Sequence, residues 1–165
     1  MKRTILFLAL TMAVAGSALA QTAPDTATTA AAQGTYPAGT MYNGVPLSGI
    51  DVTAGALIPG DGTAPDGRLT LRLLGPALAV GGQQVITVTA SITGGSRPAA
   101  NVATITGTAT VDMGDGTPPV TGVPVTATIS TDANNQGTVA LVLGTTTLPT
   151  APIGDGTMTV EDLGQ

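Results

Sequence analysis

Aliphatic and threonine positions alternate with a period of two through most of the chain. From Arg68 to Leu74, Leu69, Leu71 and Leu73 point one way and Arg68, Thr70 and Arg72 the other. Ile86, Val88, Ala90 and Ile92 alternate with Thr87, Thr89 and Ser91, and Ala103, Ile105, Gly107, Ala109, Val111 and Met113 with Thr104, Thr106, Thr108 and Thr110. The same pattern sets Val123, Val125, Ala127 and Ile129 against Thr126, Thr128 and Ser130. Val139, Leu141 and Leu143, then Met158 and Val160, complete the series. Val45–Leu47 and Ile50–Val52 are shorter candidates. A period of two with β-branched residues predicts half-buried strands, each burying an aliphatic face and wetting a threonine face. Six or seven such strands with frequent turns read as an antiparallel sandwich or barrel.

Turn residues punctuate the pattern. Gly94-Gly95, Pro118-Pro119 and Asp132 to Gly137 are each expected to break a strand, through tolerance of positive φ or a missing N–H. Pro124 falls inside a strand pattern, so it marks an edge position, a bulge or the start of the strand. Residues 21–40 are mainly Thr, Ala, Gln, Gly and Pro without visible period, and are expected to be flexible.

The first twenty residues have a different character. Lys2 and Arg3 precede an apolar run from Ile5 to Val14, and Ala18-Leu19-Ala20 is a small-x-small cleavage pattern before Gln21. This is the layout of a secretory signal peptide. The run is shorter than the ~20 residues a spanning helix needs. The expected organisation is a signal peptide over 1–20, a flexible Thr/Ala-rich leader over 21–44 and one β domain over 45–165. The product is expected to be secreted, periplasmic or on the cell surface.

Composition narrows the chemistry. There is no His, Cys or Trp in the 165 residues, and only 9% are charged. Imidazole bases, thiol nucleophiles and His or Cys metal sites are excluded, and no enzyme is expected. Cleavage after Ala20 would leave Arg68, Arg72 and Arg97 as the only basic side chains against ten acidic ones. Nucleic acid and anionic membranes are poor partners for such a chain. Tyr36 and Tyr42 would be the only aromatics, too few for the girdles of an outer-membrane barrel or for a sugar-stacking platform.

The stretch GVPVTATISTDANNQGTVALVL, Gly122 to Leu143, resembles the bacterial immunoglobulin-like domains of invasin/intimin-type adhesins. Asn135 stands where that family usually has Gly. VITVTASIT, Val85 to Thr93, is similar to that family's first strand. TATVDMGDGTPP, Thr108 to Pro119, is similar to the polycystic-kidney-disease-type immunoglobulin-like domains. Both resemblances imply an all-β, antiparallel Ig-like β-sandwich of about seven strands. They imply a surface or secreted binding or spacer module with no catalytic residues and no cofactor.

GDGT occurs at Gly60–Thr63, Gly114–Thr117 and Gly154–Thr157. Asp-Gly is a hairpin-turn dipeptide, and Asp is also a hard oxygen donor for calcium. Asp112 and Asp115 are the best local pair for a weak calcium site. The recurrent Thr-x-Thr pattern allows adsorption to ice or, more simply, a wet β face. The function expected is an exported, non-enzymatic structural or protein-interaction module of the cell envelope or exterior, whose partner is a protein or envelope component. A ligand-binding module, for weak calcium or ice, is the alternative. The terminal segment Gly156–Asp162 is the expected unprotected sheet edge, because the region lacks the Lys residues that often blunt edges.

Overall fold

The computed structural model describes residues 23–78 and 82–164; the expected signal peptide and its cleavage point lie outside them. The described residues form eleven strands and no helix: β1 (Asp25–Thr35), β2 (Met41–Tyr42), β3 (Val45–Pro46), β4 (Gly49–Ile58), β5 (Asp66–Leu78), β6 (Gly82–Ala99), β7 (Val102–Asp112), β8 (Val120–Thr131), β9 (Gly137–Leu143), β10 (Thr146–Thr147) and β11 (Ala151–Leu163). All pairings are antiparallel.

Each long strand from β4 to β9 pairs with the next in sequence, and β1 pairs with β4. β11 starts against β9 through Ala151↔Val139 and Pro152↔Thr138. From Ile153 to Leu163 it then runs along β1, ending at Asp25↔Leu163. The ladder therefore returns on itself: β1, β4 to β9 and β11 form one closed antiparallel sheet. The short β2–β3 hairpin stands apart, and β10 folds back on β9.

This arrangement departs from the expected Ig-like sandwich. That fold has two packed sheets and Greek-key crossovers, whereas here strands adjacent in the chain are adjacent in the sheet. The missing piece is β1, which lies in the stretch expected to be a flexible leader over residues 21–44. Asp25–Thr35 is instead a central strand, paired on both sides with β4 and β11.

Apolar side chains fill the ring, as in other small eight-stranded barrels. Of the large aliphatics expected to face inward, Ile86, Val88, Ile105, Val111, Val125, Ile129, Val139 and Leu141 are buried, while Met113, Val123 and Val160 are half-buried against them. Leu69, Leu71 and Leu73 join them. β1 and β4 contribute Ala30, Ala32, Ala54 and Ala56, small residues that leave room for the leucines and isoleucines of the other strands. Apolar-in and polar-out is the reverse of a lipid-embedded barrel, whose apolar band faces outward.

The two ends are closed differently. At one end the segment after β1 folds over the opening. Tyr36, Tyr42 and Leu47 are buried there, and Leu47 donates its N–H to the Thr40 carbonyl at 2.8 Å. Asn43 and Gly44 both have positive φ (45° and 81°), the signature of a type I′ hairpin turn. At the other end β6 curls inward. Its register shifts between Ile92 and Gly94, so Gly94-Gly95 makes a bulge inside a strand and not the expected strand break. A Cβ on Gly95 would lie 2.9 Å from the Ile58 side chain. Farther along β6, Arg97 reaches the Asp162 carboxylate of β11.

Pro124 occupies an edge position inside β8, one of the expected alternatives, on the side where the β8–β9 ladder has ended. Its carbonyl accepts the Gly144 N–H at 2.8 Å, just past the last β8–β9 pair, Val125↔Leu143. The N–H that proline lacks would face the same side, beyond the ladder's end, so no sheet hydrogen bond is lost.

Candidate functional site

The Asp-Gly loops are the first place to look for ligand chemistry. Two of the three GDGT stretches lie in connections, as expected of turns: Gly60–Thr63 between β4 and β5, and Gly114–Thr117 between β7 and β8. The third, Gly154–Thr157, lies within β11, where the register against β1 shifts. In the loops each carboxylate is engaged by its own backbone. Asp61 accepts the Thr63 N–H at 2.9 Å. Asp112 accepts the Gly114 N–H at 2.9 Å. Asp115 accepts both the Thr117 N–H (2.9 Å) and the Thr117 hydroxyl (2.6 Å). Asp132 caps the β8–β9 loop by accepting from Asn134 and Gln136. These are Asx turns. Among the described residues no three Asp or Glu side chains converge where a metal could sit. Asp112 and Asp115 thus share a loop, with each carboxylate serving the turn.

These bonds have a measurable consequence. The Thr117 hydroxyl, then its N–H, holds the Asp115 carboxyl below the ordinary carboxylate range. The Thr63 N–H, then its hydroxyl, does the same for Asp61. A folded-state pKa below the unfolded one gives stabilisation that is present above the unfolded pKa and is lost as pH falls through the folded one. Carbon-detected NMR titration should place both carboxyls below model-peptide Asp. Thr117→Val should move Asp115 upward and leave Asp61 unchanged; equal titration of Asp115 before and after the substitution would refute the assignment.

The outer face carries small polar side chains in register. One cross-strand row runs Thr157, Ala31, Thr53, Thr70, Thr89, Thr110 over six strands. The row beside it runs Asp155, Gln33, Asp51, Arg72, Thr87, Asp112. Arg72 pairs with Asp51 at 3.3 Å on this exposed face, where such a pair is worth ~0.5 kcal/mol. The Thr29 and Thr159 hydroxyls bond across the β1–β11 junction at 2.8 Å.

The second candidate is the outer side of β11. Within an antiparallel strand, one residue's N–H and C=O face the same neighbour, and successive residues alternate. The Met158 N–H turns away from β1 to the Asn135 carbonyl at 2.8 Å. Val160 and Asp162 therefore also turn their N–H and C=O away from β1. Beyond Pro152, β11 has no second ladder. The expected edge segment Gly156–Asp162 is thus half paired: β1 takes one side and the other lacks a partner strand among the described residues. What flanks this edge, Arg97 and the Asn135 carbonyl, comes from distant parts of the chain and leaves no local signal in the sequence.

No protein family, curated protein or solved structure matches this chain.

Proposed function

We propose that the protein is an exported, non-enzymatic interaction module of the cell envelope or exterior, and that it engages an extended segment of a partner protein along the open side of β11. The observation that carries this reading is the pair of outward-turned backbone units at Val160 and Asp162, on the side of β11 that has no partner strand among the described residues. Free N–H and C=O groups in a row are a template for strand addition. With Asp162 already paired to Arg97, Asp155 and Glu161 keep the strand acidic, and it carries no basic residue of its own, so a partner strand with Lys or Arg fits it best. A catalytic role has little to work with in a chain lacking His and Cys.

The test is photo-cross-linking in the producing cells. A photoreactive residue at position 161 should trap a protein partner, and Val160→Pro should abolish that product by removing an outward N–H. The same probe at position 110 should give none. No product from 161, or equal yields from 161 and 110, sinks the reading.

The threonine rows favour a second reading, adsorption to an ordered lattice such as ice. The sheet twist of ~20° per strand works against it, because it turns successive rows out of plane. Thermal hysteresis lost in Thr70→Leu would support this reading; freezing behaviour equal to that of buffer would end it.

A further inference from the structure

A cavity of about 220 Å³ opens at the end of the barrel that the β2–β3 hairpin covers. Its walls are Tyr42 from that hairpin, Val111 and Met113 at the end of β7, Val120 and Val123 at the start of β8, and Leu143 at the end of β9. No charged side chain lines it. Asn43, Thr145 and Thr146 also line it and supply its polar side chains.

Three features make it more than a packing defect. First, the barrel interior is filled, with Leu143 and Val111 almost wholly buried, so the cavity is a separate feature at the mouth. Barrel mouths are a common position for small-molecule sites. Second, its shape is fixed by backbone. Gly144 is anchored to the Pro124 carbonyl, and Asn43-Gly44 form the tight turn described above. Third, one of its apolar walls is left uncovered: Val120 is 57% exposed. An exposed large apolar side chain in a concave apolar wall leaves surface for a ligand to cover.

We infer that this cavity binds a small, neutral, mostly aromatic or branched-aliphatic molecule, with one hydrogen-bonding group directed at Asn43 and Thr145. Size sets the scale. An apolar cavity of ~150 Å³ accepts benzene, so this one has room for a two-ring compound. Lining chemistry sets the charge. An ionised ligand would find no counter-ion in these walls and would lose its hydration. The Tyr42 phenol, neutral at ordinary pH and held further from ionisation by burial, adds no charge to the cavity.

The probe is 2-naphthol, which is neutral at pH 7, added to the full exported chain. Its fluorescence should change saturably with a Kd on the order of 0.1–1 mM, as expected for so few heavy atoms. Methyl NMR shifts should centre on Val111, Met113, Val120, Val123 and Leu143. Val123→Phe, which fills the cavity from a half-buried position, should weaken binding at least tenfold. Naphthalene-2-sulfonate, of similar ring size but charged, should bind at least tenfold more weakly than 2-naphthol. Absence of saturation, shifts scattered over the barrel, or equal binding of the charged analogue would each overturn the inference. The methyl shifts are read on the unsubstituted protein, so the test stands even if Val123→Phe does not fold.

Discussion

Ile129→Ala should lower the unfolding free energy by ~2–5 kcal/mol, the range for a fully buried large-to-small change. Ile129 lies in β8 with no exposed surface. It pairs across the sheet with Ala103 on one side and Val139 on the other. Ala103 cannot expand into the space left behind, so the cavity persists and its cost adds to the lost transfer free energy. One residue away, Thr128 points outward and shares a hydroxyl hydrogen bond with Thr104 at 3.1 Å. Thr128→Ala should cost no more than ~1 kcal/mol, the net worth of one such bond. Denaturant midpoints of the two variants at constant m-value test the pair. A larger effect at Thr128 would mean that β8 sits one residue out of register, which exchanges its two faces.

Gly156→Val should be at least as damaging, costing about 3 kcal/mol or more. Gly156 has φ of +88°, a conformation that costs a side-chain-bearing residue ~1–3 kcal/mol. A Cβ there would also fall on the Ala31 carbonyl oxygen and lie 2.6 Å from the Ala32 Cα. Both obstacles are backbone of β1, the strand that completes the ring, so relief requires β1 and β11 to separate. Gly154, two residues earlier in the same GDGT stretch, is a contrasting control. It has no positive φ, and a Cβ on it would meet nothing within 4 Å. Gly154→Ala should be neutral or stabilise by up to ~1 kcal/mol through the unfolded chain. Equal losses at the two glycines would show that the β1–β11 junction does not depend on close backbone approach.

The register of β5 to β9 was legible because the two faces use different residue types. Leu, Ile and Val point inward, Thr and Arg outward, and turn residues mark most of the strand ends. β1 was illegible for the opposite reason. Its inward positions are Thr26, Thr28, Ala30 and Ala32, and its outward ones Ala27, Thr29, Ala31 and Gln33. Alanine and threonine on both faces carry no hydropathy period. Only the surrounding structure makes Ala30 and Ala32 core residues, because they lie where the ring closes beside the alanines of β4. With β1 unseen, nothing in the pattern could distinguish an open pair of sheets from a closed one. The Asp-capped loops were readable from local chemistry, since Asp-Gly acts within four residues. The open side of β11 was readable in part, as a terminal strand without Lys. The cavity at the mouth was not, because its walls come from three hairpins and depend on how they meet.

Joining β1 to β11 also constrains the order of assembly. Every other ladder of the ring between sequence neighbours can grow outward from a local connection. The last one couples Thr29 to Thr159, 130 positions apart, and cannot begin until both strands are free and the intervening meander is formed. Such long-range pairing raises contact order and places folding in the millisecond-to-second range typical of all-β chains. Until closure, the nearly finished meander displays two bare edges, each able to accept the wrong strand. Refolding should therefore become less efficient as protein concentration rises, even though the native ring offers little edge for association.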